Sequence, residues 1–186
     1  MDVIARNVTV RMIRPDLEGI PRQPLPPGYS VRWYRPGDAQ TWLAVQSATE
    51  RLVTITPDMH PHEFGTDPNV LGRRQCFLLN AGGIPVGTAT AWFGDDERGR
   101  SWGRLHWLAI VPQEQGLGLG KALLATACGR MRELGHKQAY LVTSTGRIPA
   151  INLYLRFGFV PEILTADDAA AWNEMRPHVS VPLPPA

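Results

Sequence analysis

Apolar and polar residues change period several times along the chain, and each change marks an element. Val8, Val10 and Met12 alternate with polar neighbours, which predicts a short strand over TVRMIR. Pro15, Pro21, Pro24, Pro26 and Pro27 follow, forbidding helix and sheet interior and predicting an extended segment. Residues 1–28 therefore read as a Pro-rich amino-terminal arm that hugs the surface, covers a substrate cleft or meets a second subunit. Tyr29 to Arg35 alternates as a strand, Pro36-Gly37-Asp38 interrupts it, and Asp38 is placed to N-cap a helix through about Glu50. Residues 57–70 read as a short helix or a loop starting near Thr56-Pro57.

Further on, Gln75 to Asn80 and Ile84 to Phe93 predict two strands joined at Ala81-Gly82-Gly83. The polar stretch Asp95 to Ser101 predicts a loop. An apolar run, Leu105 to Val111, predicts a strand stopped by Pro112, which has no N–H for a ladder. Its strict alternation would put His106 with Leu108 and Ile110 on one face, and Trp107 with Ala109 and Val111 on the other. Between Gly118 and Leu134 a helical stripe of Leu123, Ala127, Met131 and Leu134 appears, closed by Gly135. A strand over Gln138 to Ser144, a helix over Pro149 to Phe157 and a last strand over Phe159 to Leu164 complete a domain spanning residues 29–165. Residues 166–186 read as a short helix and a Pro-rich tail.

Composition narrows the class. The chain has 186 residues, enough for one domain with a real core, and its 44% hydrophobic and 19% charged content is that of a folded soluble protein. A net charge of +2 without a dense Lys/Arg run gives no nucleic-acid signal. No apolar run approaches membrane-spanning length and the start lacks a secretion-signal layout, so a cytoplasmic protein is expected. Cys76 and Cys128 sit in apolar-periodic stretches, form no metal-like cluster, and read as buried reduced thiols; no metal is expected.

The chemistry concentrates in RLHWLAIVPQEQGLGLGKALL, residues 104–124. Gly116, Gly118 and Gly120, flanked by Gln115 and Lys121, lie between a strand and a helix N-terminus. Such a turn aims several backbone N–H groups one way and adds the positive end of the helix dipole, which suits a phosphate or pyrophosphate. A Walker loop fails at Gln115 and Ala122, and the dinucleotide fingerprint fails because Lys121 and Leu123 are not glycine. What fits is Q-x-x-G-x-G, read as Gln115, Gly118 and Gly120; the plainer alternative is an ordinary tight turn before a helix.

That pattern resembles the acetyl-CoA signature of the GCN5-related N-acetyltransferases, the GNAT family. The resemblance extends to AINLYLRFGF at 150–159, similar to the family's last core helix A-x-x-x-Y-x-x-x-G-F, with the strand Tyr140 to Ser144 in between. It also takes in the R-x-Y-R-P-G-D start at Arg32, and covers roughly residues 29–165.

The resemblance implies an α/β fold: a mixed, mostly antiparallel sheet of about six to seven strands flanked by helices, with one splayed strand pair. It implies acetyl-CoA as co-substrate, with Ile110 and Val111 at the pantetheine and Gln115, Gly116, Leu117, Gly118, Leu119, Gly120 and Lys121 at the pyrophosphate. Tyr154 takes the place of the general acid to the leaving thiolate. Many members carry a strand glutamate as base, but Arg104 stands there; His106 resembles the second histidine of a His-x-His pair and is the candidate base, with Thr143 and Ser144 beside it for a water chain. The early helices line the acceptor side, which makes Asp58, His60, His62, Glu63 and Phe64 candidate substrate contacts. Where the family often has a cofactor-binding Asn, this chain has Arg147, placed for a cofactor phosphate, an anionic substrate or solvent.

The expected reaction is direct attack of a primary amine on acetyl-CoA, the amine belonging to a small molecule or a peptide. A non-catalytic acyl-CoA-binding domain and a protein N-terminal or lysine acetyltransferase are the alternatives. The resemblance is also compatible with a homodimer.

Overall fold

The computed structural model describes residues 2–94 and 101–183. Most of the Asp95 to Ser101 loop, and the end of the Pro-rich tail, lie outside the described residues. The elements are α1 (Val3–Arg6), β1 (Thr9–Arg14), β2 (Ser30–Trp33), α2 (Asp38–Thr49), α3 (Met59–Phe64), α4 (Pro68–Arg74), β3 (Gln75–Leu79), β4 (Pro85–Phe93), β5 (Gly103–Ile110), α5 (Leu119–Glu133), β6 (Ala139–Ser144), α6 (Ile148–Arg156), β7 (Val160–Pro161) and α7 (Ala166–Met175).

The strands form one sheet of seven in the order β2-β3-β4-β5-β6-β1-β7, antiparallel except for β5 and β6. The amino-terminal segment lies within the sheet. Val10, Met12 and Arg14 are buried, and β1 pairs along its whole length with β6, so its alternating pattern is that of a core strand.

Two cores flank the sheet. On one face α5, α6 and α7 bring Leu123, Leu124, Ala127, Met131, Ile151, Tyr154 and Trp172 against Ala89, Ala91, Leu105 and Ile110. On the other face α2, α3 and α4 bring Trp42, Phe64 and Leu71 against Phe77 and Trp92.

Two departures from sequence logic shape the site. The first is at Asp38. Helix α2 starts there rather than after it, behind Gly37 at φ 99°, and the Asp38 carboxylate makes no bond to the helix amides. It grips Arg32 through two bonds of 2.6 and 2.8 Å and accepts the Arg35 N–H at 2.6 Å. Its role is to tie strand β2 to the start of α2 rather than to cap the helix.

The second is a β-bulge in β5. Thr88 pairs with Ala109 and Thr90 with His106, so β5 carries one residue more than β4 over this step. Trp107 takes φ 52° to accommodate it, a left-handed conformation that is uncommon for a bulky residue. The strict alternation therefore breaks. His106 and Trp107 both face the α2–α3 side, while Leu105, Leu108 and Ile110 pack toward α5.

Candidate active site

Strands β5 and β6 pair only at Gly103–Ala139 and Arg104–Tyr140; β5 then continues to Ile110 and β6 to Ser144 without pairing to each other. The sheet opens as a V. At its open end Val111 donates its N–H to Val86 at 2.9 Å, and Ile110 sits opposite Gly87. Because successive residues of an antiparallel strand point their backbone groups to opposite sides, those of Ile110 point away from β4 into the gap. Of the two strand-end residues named from the sequence, Val111 thus has its N–H committed to the sheet, whereas Ile110 presents its N–H to the opening. The Ile110 carbonyl accepts from the Gln115 side chain at 2.8 Å. The glutamine of the glycine motif therefore ties the loop to the strand.

Beyond Gln115 the chain turns through Gly116 at φ 84° and Gly118 at φ 79°, and a Cβ at either would meet nothing within 4 Å. Helix α5, of 15 residues, starts at Leu119 without a side-chain cap. Among the described residues, the N–H groups of Gly116, Leu117, Gly118, Leu119 and Gly120 find no acceptor, while Lys121 N–H bonds Gly118 at 3.0 Å. The result is a row of open amides at the positive end of a helix dipole, with clear space in front. That arrangement fits a pyrophosphate. Lys121 stands exposed on the first helical turn.

Tyr154 lies on α6, 8% exposed, in the α5-side core near Phe159. Burial pushes its phenol up to about 12, against a smaller opposing pull from Arg147. Its hydroxyl is a neutral proton donor at physiological pH.

The opposite face of the V holds His106. Its Nε2 is 2.7 Å from Glu63 Oε2, and the Trp107 indole N–H donates to the same oxygen at 3.1 Å. The Glu63 carboxyl is drawn down to about 2, first by its bond to His106, with burial opposing and the Trp107 bond assisting. Gln46, buried on α2, donates to the Trp107 carbonyl at 3.0 Å and braces the bulge.

The other acceptor-side candidates separate. His60 is 2% exposed, bonded to Gln75 at 3.0 Å and enclosed by Tyr34, Trp42 and Phe64, and burial depresses its pKa. Phe64 is likewise core. His62 is exposed, with its Nδ1 3.9 Å from Glu63 Oε1, and Asp58 is also exposed. Trp92 belongs to the aromatic core, and Trp107 packs against it.

Arg147 is already spent within the protein. It bonds Ser144 Oγ and Glu50 Oε2, each at 2.8 Å, and Glu50 in turn accepts the N–H groups of Arg51 and Leu52. These bonds tie the chain after α2 to the end of β6. Beside it opens a cavity of about 510 Å³ lined by Ser47 and residues 50–55.

Gln46 and Glu50 escaped sequence reasoning, since one polar residue on a helix, or just past its end, carries no signal of a distant partner. Cys76 and Cys128 are buried and unpaired, and burial pushes both thiols up to about 12. Among the described residues no group of three or more His, Cys, Asp or Glu could hold a metal ion, and no helix is long and apolar enough to cross a membrane.

Comparison with known proteins agrees with this geometry. Residues 42–159 match the model of the acetyltransferase (GNAT) family. The chain is 31% identical to the mycothiol acetyltransferase of Geodermatophilus obscurus over 79% of its own length and 50% of that protein's. It is 32% identical to that of Pseudarthrobacter chlorophenolicus over 75% of its own length and 45% of that protein's. The chain thus spans about half the length of the curated relatives it matches.

Among solved structures, a GCN5-related N-acetyltransferase from Sphaerobacter thermophilus superposes with a TM-score of 0.65 at 22% identity, over 83% of this chain and 48% of that one. The ribosomal-protein-S18-alanine N-acetyltransferase from Escherichia coli superposes at 0.57 and 18% identity, over 70% of this chain and 76% of that one. At these identities the likeness is one of fold.

Proposed function

The chain belongs to the acetyltransferase (GNAT) family, and from that premise we propose that it transfers an acetyl group from acetyl-CoA to a primary amine by direct attack. The observation that carries this reading is the divergence of β5 from β6 with the open amides of residues 116–120 at its mouth. Residues 116–120 would hold the pyrophosphate, Lys121 would add charge, and the Ile110 N–H would face the pantetheine arm. When bound, acetyl-CoA supplies an acyl group activated as a thioester.

The chain's own groups divide the proton work between the two faces of the sheet. On the α2–α3 face His106 takes the proton of the attacking amine, directly or through water. On the α5–α6 face Tyr154 donates to the departing sulfur. Cys76 and Cys128, buried and held as thiols, are unsuited to carry an acyl intermediate, which favours direct attack.

The acceptor lies on the α2–α3 side, near the cavity beside Glu50. The names of the relatives favour a small molecule such as mycothiol over a protein amine. Unpaired buried thiols fit a reducing, cytoplasmic setting. The test is calorimetric binding of acetyl-CoA and CoA to the wild type and Gly118→Glu, beside thiol release with a panel of amines. Binding lost in the variant, with amine-dependent turnover in the wild type, is expected. Binding without turnover would leave an acyl-CoA-binding domain, and no binding would remove the reading.

A further inference from the structure

We propose that Glu63 is a positioning residue for His106, holding and charging the imidazole that receives the amine proton; this rests on the acetyl-transfer reading above. Sequence placed Glu63 among substrate contacts, but the geometry gives its carboxylate a different occupation. The bulge at Trp107 turns two consecutive side chains of β5 to one face, and both deliver ring N–H groups to a single oxygen. Glu63 Oε2 is 2.7 Å from His106 Nε2 and 3.1 Å from Trp107 Nε1. Two donors on one oxygen fix the carboxylate in angle as well as distance.

The rings around the pair leave little freedom. Phe64 meets His106 edge-on at 5.3 Å between centroids, and Trp42 meets Trp107 in the same way at 5.3 Å. Gln46 holds the Trp107 carbonyl at 3.0 Å and so stabilises the left-handed turn that aims both rings. A side chain that merely contacted substrate would not need its oxygen engaged twice from the strand beneath it.

Proton transfer balances simply. The amine loses a proton, the imidazole gains it, and the imidazolium so formed lies against a carboxylate already ionised. Other charges among the described residues act on the pair. His62 on α3 lies 3.9 Å from Glu63 Oε1 but is exposed, and Arg104 on β5 favours the ionised carboxylate. From α2 come only the uncharged Trp42 and Gln46, from β4 the indole of Trp92, and His60 is turned to Gln75. Because coupling between two titrating groups is reciprocal, whatever His106 does to the ionisation of Glu63, Glu63 does equally to that of His106.

The test is Glu63→Gln, which keeps a hydrogen-bond acceptor near Nε2 and removes the charge. Two readouts are taken: the pH profile of kcat/KM with a responsive amine, and the NMR titration of the His106 ring, assigned with His106→Gln. Both midpoints are expected to fall together by about one pH unit, a tenfold loss of proton affinity, with acetyl-CoA affinity unchanged. An NMR midpoint that stays put overturns the coupling. An NMR midpoint that moves while the kinetic limb does not overturns the role in proton transfer and leaves Glu63 a structural residue. A wild type that binds acetyl-CoA but turns over no amine overturns the functional reading itself, and the wild-type assay alone identifies that case. Should Glu63→Gln fold poorly, Trp107→Phe, which removes one donor to the carboxylate and keeps the charge, is expected to leave both midpoints nearly in place; a fall of both by a full unit would overturn the assignment to charge.

Discussion

The glycine loop gives the most direct test of how the fold would bind its donor, because the protein contains its own control. Gly118 and Gly135 both have positive φ, 79° and 89°, and a Cβ at either would meet nothing within 4 Å. Gly118 precedes α5 and Gly135 follows it. Alanine at either position therefore carries a similar backbone penalty, about 1–2 kcal/mol for an L-residue held left-handed, with no clash. That penalty applies with or without ligand, so by itself it lowers stability and leaves affinity alone. At Gly118, however, the methyl group stands in the open space before the amides of residues 116–120. Holding the phosphate oxygens off one such N–H removes a charge-assisted hydrogen bond worth about 1.5–3 kcal/mol. At about 1.4 kcal/mol per tenfold in Kd this predicts roughly ten- to hundredfold weaker acetyl-CoA binding. The assay is calorimetric titration of acetyl-CoA with wild type, Gly118→Ala and Gly135→Ala, each also unfolded in denaturant. Equal stability losses with weaker binding confined to Gly118→Ala are expected. Equal affinities in all three proteins would refute the assignment of these amides to the ligand.

Tyr154→Phe should lower kcat by about a hundredfold with acetyl-CoA affinity preserved, measured by thiol release. Because burial holds the phenol up at about 12, no alkaline limb below pH 10 should belong to it. Cys76 and Cys128 should resist alkylation in the native protein and react only on unfolding, and intact-mass spectra with acetyl-CoA alone should show no acetylated cysteine; an acetyl adduct on either would overturn direct attack. Asp38→Asn should destabilise the fold by about 2 kcal/mol at pH 7, since it takes the charged partner from two hydrogen bonds of a half-buried Arg32. Burial alone would raise the Asp38 carboxyl, but the Arg32 bonds and the Arg35 N–H outweigh it and hold the pKa below its ordinary value. The stability it gives is therefore full above the unfolded pKa and is lost as pH falls through the folded one. The difference between variant and wild type should shrink below about pH 4, and denaturant midpoints across pH 3–7 would read it.

Local patterns were legible where one residue's neighbours in sequence decide its conformation. Gly116 and Gly118 could be placed in a turn, α5 in a helix and Leu105 to Ile110 in a strand because periodicity and glycine chemistry are local. What escaped depends on partners far along the chain. The bulge at Trp107 follows from β4 counting one residue fewer than β5, and its brace comes from Gln46, 61 positions away. Arg147 looked available for a phosphate or an anionic substrate because nothing in its own segment opposes it; its carboxylate partner, Glu50, lies 97 positions away. Asp38 had the spacing of a helix cap, yet the pull of a guanidinium on the adjoining strand won over the helix amides. The fold and the glycine turn were thus readable, while the side chains that α2, α3 and β5 bring together around His106 were not.

The open V raises a question of energy, since splitting a sheet normally leaves unpaired backbone groups on both strands. The topology answers it for most of the sheet. Strand β5 remains paired with β4 on its far side, and β6 with β1, so each half-sheet is held without the other. The amino-terminal strand is what makes this arrangement possible, because β7 is only two residues long and could not hold β6 alone. What stays open is the inner row of groups on each of the two strands, and at the end of the β5 row Gln115 already satisfies the Ile110 carbonyl. The groups left facing the gap are those an extended, amide-bearing ligand would pair with as a strand does. Donor binding on this view completes the sheet, so acetyl-CoA should raise hydrogen-exchange protection along residues 105–110 and 141–144 together. Protection confined to residues 115–121 would mean that the gap takes no part in binding.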